Sequence, residues 1–314
     1  LITIDTEGDN LWQKHDSITT ENARYLPRFQ QLCEKYGFKP VWLTNYEMAI
    51  DPVYIEFAKD AIARGTAEIG MHLHAWNSPP TDPLTDDDWR HKPYLIEYSD
   101  AAMRAKVDYM TRLLEETFQT KMVSHRAGRW AFDERYARLL MEYGYLVDCS
   151  VTPRVNWKTA KGAPQGDGGT DYRHFPQHAY FLDENDIRRE GQSSLLEVPM
   201  SIQYKHPAWM NSLKQGYDRL RGKVRSPSVH WLRPMGGNVE TMKKVVEQTL
   251  TQGNDYVEYM LHSSEYMPGG SPTFKNEQDI ERLYADLESF FSWLAPQVKG
   301  MTLAEYYQQK RTQR

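Results

Sequence analysis

Short apolar runs and longer amphipathic stretches alternate along the chain, and most of them stop at a glycine or start at a capping side chain. Leu1 to Ile4 reads as a buried strand that delivers Asp5-Thr6-Glu7-Gly8-Asp9 at its end. Thr20-Glu21 then caps a helix from Asn22 to Tyr36, with Leu26, Phe29, Leu32 and Cys33 on one face and Gly37 as the stop. Pro40 to Thr44 is a second strand, and Pro52 to Arg64 a helix ended by Gly65. The third strand is Ala67-Glu68-Ile69-Gly70-Met71-His72-Leu73-His74-Ala75-Trp76.

The same alternation continues through a helix capped by Ser99-Asp100 and running to Phe118, then a strand from Met122 to His125 that ends in Arg126-Ala127-Gly128-Arg129-Trp130. Asp133 opens a helix stopped by Gly144, and Tyr145 to Val151 is again a strand. Later come a strand from Leu195 to Ile202, a helix from Asn238 to Gln252, and a strand from Asp255 to Leu261 that runs into His262. Helices from Glu277 to Leu294 and from Leu303 to Lys310 close the chain. Asn77 to Tyr98 reads as an ordered loop over the strand ends, and Thr152 to Gln192, rich in Gly and Pro, as a loop-rich insertion. Strands alternating with crossover-length helices predict an α/β fold, a distorted (β/α) barrel with parallel strands and outer helices, in one domain over residues 1–314.

In such an architecture functional groups gather at the C-terminal ends of the strands. Period-two alternation puts His72 and His74 on one face of their strand, and Asp5 and Glu7 on one face of theirs. Two imidazoles and a carboxylate make a ligand set for a divalent metal such as zinc, leaving the second carboxylate to accept a proton. Glu7 as ligand and Asp5 as base is the assignment adopted; the reverse, or Asp9 in place of Glu7, stays open. Arg126 is placed to orient Asp5, and the amides of Arg129 and Trp130 to meet a developing oxyanion. His262 is placed to protonate a leaving amine. Ser263 lacks a Gly-x-Ser-x-Gly elbow, so a serine nucleophile is set aside.

Composition narrows the partners. The 314 residues carry a net charge of −5 with no basic cluster, which argues against nucleic acid and anionic membrane. No apolar run approaches membrane-spanning length. Cys33 and Cys149, the only cysteines, fit a reducing compartment and point to the cytoplasm. The chain opens on Leu1 without an initiator methionine, as a cut or processed fragment would. The 9 Trp and 20 Tyr suit stacking against sugar rings.

Four segments occur in a telling order: Ile4-Asp5-Thr6-Glu7, Glu68-Ile69-Gly70-Met71-His72, Arg126-Ala127-Gly128-Arg129 and Met260-Leu261-His262. In these the chain resembles the polysaccharide deacetylase family, the NodB-homology or carbohydrate esterase fold, and most resembles members from bacterial surface-polysaccharide or O-antigen synthesis, with their His-x-His-x-Trp-Asn stretch. The resemblance implies a divalent metal, usually zinc, and hydrolysis of an N-acetyl group on a sugar. It places the base on Asp5, the metal carboxylate on Glu7, the first metal histidine on His72, the motif arginine on Arg126 and the general acid on His262.

Two positions depart from the pattern: Thr6 stands where the second acid usually follows the first, and Trp76 where the second histidine usually lies, so His74 takes that role. Trp76, Arg129 and Trp130 are then expected to line the substrate site. Asp148 and Trp157 are the candidates for steadying His262 and lining the acetyl pocket. Two other readings remain: an amidohydrolase or phosphoesterase, which also uses His-x-His on a strand, and an inactive glycan-binding barrel.

Overall fold

The structure is a computed structural model that describes residues 1–9, 11, 17–206, 210 and 228–314. Its strands are β1 (Ile2–Thr6), β2 (Pro40–Thr44), β3 (Glu68–Leu73), β4 (Ser124–Ala127), β5 (Val147–Asp148), β6 (Tyr180–Asp183), β7 (Asp186–Glu190), β8 (Leu196–Glu197), β9 (Ile202–Tyr204), β10 (Val229–Trp231) and β11 (Tyr259–His262). Among the described residues one sheet has the order β11-β1-β2-β3-β4-β5-β8-β6-β7. Every pair from β11 to β8 is parallel, and β6 and β7 add an antiparallel hairpin at the edge.

Beyond β5 and β8, single hydrogen bonds around a small antiparallel β9–β10 ladder lead round to β11. The amide of Met200 donates to Val151 O (2.9 Å), that of Leu232 to Ser201 O (3.0 Å) and that of Met260 to Leu232 O (3.2 Å). This is the distorted (β/α) barrel that the sequence predicts.

Side chains sort by the pleat. Ile2, Ile4, Ile69, Met71, Leu73, Tyr259 and Leu261 pack against the outer helices in the main core. Between them, Thr3, Asp5, Arg126 and Glu258 turn inward and hydrogen-bond to one another. Lower in the interior, Val41, Leu43, Val147, Leu196 and Val198 pack with Leu303, Tyr306 and Tyr307 of the final helix. An apolar floor therefore carries a polar layer above it, and the polar layer opens at the strand ends.

Most helix boundaries follow the sequence because their caps are local. Asp51, Ser99, Asp133, Asn276 and Thr302 each accept a backbone N–H in the first turn, a contact typically worth about 1 kcal/mol. Four expectations are corrected. The helix expected from Asn22 is a 3₁₀ turn over Glu21–Tyr25 followed by an α-helix over Leu26–Lys35, because Pro27 has no N–H to donate and suits only a first turn. Thr20 does not cap it; its hydroxyl donates to Asp51 (2.8 Å). The strand expected over Tyr145 to Val151 shrinks to β5, since Asp148 accepts the amide of Ser150 (3.0 Å) and bends the chain.

The strand expected over Leu195 to Ile202 is split into β8 and β9, with Pro199 between them unable to donate to a ladder. Within the expected loop-rich insertion, β6 and β7 form a hairpin whose Asp, Glu and Arg residues hid the strand pattern. The Asn77 to Tyr98 stretch holds short helical turns at Asp88–His91 and Leu95–Glu97 and brings Lys92 and Tyr94 to the cleft at the strand ends. No helix among the described residues is long and apolar enough to cross a membrane.

Candidate active site

At the C-terminal ends of β1 and β3 three atoms able to ligate a metal meet. His72 Nε2 lies 3.1 Å from His74 Nε2, His74 Nε2 lies 2.9 Å from Glu7 Oε2, and Glu7 Oε2 lies 3.6 Å from His72 Nε2. Ligands about 2.0–2.1 Å from a tetrahedral zinc stand about 3.3 Å from one another, so this triangle has the dimensions of three corners around one divalent cation. Among the described residues it is the only cluster of three such groups.

The hydrogen bonding of His72 fits as well. His72 Nδ1 donates to Arg126 O (2.9 Å), which leaves the Nε2 lone pair of the neutral ring aimed at the cluster. Burial alone would raise the Glu7 carboxyl, but the two imidazoles and His262 hold it well below the usual range. Burial would lower His72 too, yet Asp5 and Glu7 outweigh it and the ring is raised. At His74 burial prevails and the ring is lowered.

Close backbone approach builds the cluster. A Cβ on Gly128 would stand 2.4 Å from Leu73 O and 2.8 Å from His74 Nδ1, so glycine is required beside that ring. The Glu7 backbone is fixed by two buried side chains. Ser263 Oγ donates to Glu7 O (2.8 Å) and accepts from Glu7 N (3.0 Å), while Asn22 Nδ2 donates to both Glu7 O and Ser263 Oγ (2.8 Å each). Ser263 thus holds Glu7 in place.

Asp5 stands beside this triangle. Its Oδ1 accepts from Arg126 Nη1 at 2.5 Å, and its Oδ2 lies 3.9 Å from His262 Nε2. Burial opposes ionisation of Asp5, but Arg126, with His72 and His262, keeps its pKa below the ordinary value. Arg126 is fully buried and also donates to Thr3 Oγ1 (2.7 Å), Cys149 O (3.1 Å) and Glu258. Opposite, His262 Nε2 lies 3.8 Å from Glu7 Oε1, and its Nδ1 is 3.0 Å from Glu265 Oε2. Glu265 is in turn paired with Arg233 (2.6 Å). Burial would lower the His262 pKa, but Glu265, Glu7 and Asp5 raise it.

Two expectations fail here. Asp148 does not reach His262: it accepts from His125 Nδ1 (2.6 Å) and Ser150 Oγ (2.9 Å) on the helix side of the sheet, and Glu265 is the partner of His262. Asp9 does not replace Glu7, because it accepts from Thr19 (2.5 Å) and from the amide of Asn22 (3.2 Å). Glu265, three residues beyond His262, carried a usable signal, since that spacing lets a side chain fold back on a turn. Glu258 and Asn22 carried none.

The cluster opens into a cleft of about 560 Å³ lined by Asp5, Glu7, His72, His74, His262 and a belt of aromatic and basic residues that includes Trp76, Trp130, Trp157, Trp231 and Tyr94. Trp157, expected in the pocket, is there. Trp130 lies over the Arg126 guanidinium (4.7 Å to the ring centroid) and packs against Trp231 (5.6 Å). Arg129 and Trp130 both adopt left-handed backbone, φ 55° and 63°, which turns the chain sharply beside the site. Trp76 packs beside the His74 ring (6.0 Å) and so flanks the candidate metal cluster.

Neither a family model nor a curated protein matches the sequence. Solved structures do match in three dimensions. A protein of Mycobacterium smegmatis described as a polysaccharide deacetylase is 15% identical, with TM-score 0.57 over 99% of this chain and 90% of that one. One of Parabacteroides distasonis described as a glycoside hydrolase/deacetylase is 10% identical, with TM-score 0.65 over 100% and 71%. The Puue allantoinase is 14% identical, with TM-score 0.53 over 99% and 83%. At these identities the likeness speaks to the fold, and the chain shares it.

Proposed function

We propose that this chain is a metal-dependent hydrolase that removes the acetyl group from the nitrogen of an acetylated sugar, in the assembly of a bacterial surface polysaccharide such as O-antigen, in the cytoplasm. The observation that carries the reading is the convergence of Glu7, His72 and His74 on one point beside Asp5 and His262, under a cleft walled by tryptophans. Those three side chains would hold the cation, zinc by the chemistry of two imidazoles and a carboxylate. A divalent cation there supplies Lewis-acid polarisation of the acetyl oxygen and a lowered pKa for water.

The rest is the work of the chain's own residues. Asp5, kept ionised by Arg126, accepts a proton from the attacking water. A backbone N–H from the Arg129–Trp130 turn is the candidate donor to the oxyanion. His262, whose protonated form Glu265 favours, faces Asp5 and Glu7 with its Nε2 and gives a proton to the departing sugar nitrogen. Trp76, Trp130 and Arg129 bound the space for the sugar.

The fold is shared with an allantoinase, which keeps a second reading in view: cleavage of another carbon–nitrogen bond by the same groups. Four tryptophans in the cleft favour a sugar. The test is acetate release from N-acetylated sugars, as nucleotide sugars, sugar phosphates and oligosaccharides, by purified protein supplied with zinc. Release from at least one sugar, abolished in Asp5→Asn, supports the proposal; release from none, with hydrolysis of allantoin instead, transfers the site to the second reading.

A further inference from the structure

The cleft walls hold more positive charge than their own carboxylates balance. Three cations line it, Lys92, Arg129 and Arg233, against two acids, Asp5 and Glu7. Both acids are committed, Asp5 to Arg126 and Glu7 to the imidazoles. Arg233 is paired with Glu265. Lys92 and Arg129 have no carboxylate partner among the described residues. Lys92 Nζ donates to Leu11 O (2.8 Å) and lies 5.2 Å from the Trp76 ring centroid. Arg129 donates to Lys92 O and Lys161 O and stacks 4.2 Å over Tyr94.

Backbone carbonyls and ring faces orient these two cations without neutralising them. Burial lowers the Lys92 pKa and the neighbouring Arg129 adds to that, with Glu7 opposing. A cation in the metal position would enlarge the excess. The chain as a whole carries −5, so this is a local feature of the cleft and not part of a basic surface.

We propose that the acetylated sugar bound here carries its own negative charge, an anionic oxygen group that Lys92 and Arg129 receive while the ring lies against the tryptophans. The inference rests on the deacetylase reading of this cleft and adds the class of sugar to it. A ring carboxylate and an anomeric phosphate share the required chemistry.

The test measures dissociation constants, by quenching of tryptophan fluorescence in zinc-loaded protein, for N-acetylglucosamine, its 6-carboxylate (N-acetylglucosaminuronate) and its 1-phosphate, with acetate release followed in parallel. One charged bond contributes enough for about a tenfold preference for one anionic sugar over the neutral one. That preference is expected to collapse in Lys92→Gln, persist in Lys92→Arg and weaken with salt; whether the carboxylate or the phosphate is preferred identifies the source of the charge. Equal affinity for neutral and anionic sugars overturns the inference and, if acetate is still released, leaves the deacetylase reading standing. A preference that survives unchanged in both Lys92→Gln and Arg129→Gln also overturns it. Failure of every sugar to bind or release acetate overturns both.

Discussion

Arg126 Nη1 stands 2.5 Å from Asp5 Oδ1, with the guanidinium wholly buried and its other nitrogens donating to Thr3, Cys149 O and Glu258. The arginine therefore cannot follow solvent or substrate. It pins one oxygen of Asp5 and leaves the other turned toward His262. Asp5→Asn keeps the shape and removes the base, so kcat is expected to fall by about 10²–10⁴-fold with bound metal unchanged. Steady-state kinetics with metal analysis on the same sample checks both; wild-type turnover in the variant would remove Asp5 from the mechanism.

Removing the guanidinium strands two buried carboxylates. Arg126→Met is expected to lower the unfolding free energy by about 3–5 kcal/mol, the range for breaking a buried ion pair. Adding Glu258→Gln to Arg126→Met should recover part of that loss. Urea unfolding of both variants measures it, and additive losses would mean that the two side chains do not act on each other.

Burial pushes the Glu258 carboxyl up to about 7, with Arg126 pulling the other way, against 4.5 for a free side chain. Between those values the folded chain holds a proton that the unfolded chain has lost, so this group's stabilisation is full below pH 4.5 and is lost as pH rises through 7. The loss is on the order of 3 kcal/mol. Unfolding free energies at pH 5 and pH 8 should drop more for wild type than for Glu258→Gln; equal drops would contradict the assignment.

Glu265 raises His262, so Glu265→Gln should lower that pKa and leave the acid deprotonated at a lower pH. The alkaline limb of the kcat/KM profile is expected to move to lower pH in the variant while the acid limb stays. An unmoved alkaline limb would show that His262 is not the proton donor.

Gly128→Ala places a methyl group against Leu73 O and the His74 ring. The expected result is weaker metal binding by tenfold or more, the effect typical of disturbing a group that orients a ligand. Competition with a chelator reads it directly.

The local part of this site was legible. Asp5 with Glu7, and His72 with His74, share a face because strand periodicity is a property of neighbours, and the caps at Asp51, Ser99 and Asp133 announce their helices in the same way. What escaped depends on long-range register. Glu258, just before β11, meets Arg126 of β4 although β1, β2 and β3 stand between those strands in the sheet order, and Ser263 reaches the Glu7 backbone across 256 residues. Asp148 was misplaced for a related reason: it leaves its strand on the helix side, where His125 and not His262 meets it. The β6–β7 hairpin was hidden because its outer face is charged.

One cation held jointly by Glu7, His72 and His74 is what the proposed chemistry requires. Elemental analysis after dialysis against zinc should find one metal per wild-type chain and one per Asp5→Asn chain, with metal lost from Glu7→Ala, His72→Ala and His74→Ala, each checked for folding by circular dichroism. Full metal content in a folded His74→Ala or Glu7→Ala variant, or none in wild type, would contradict it.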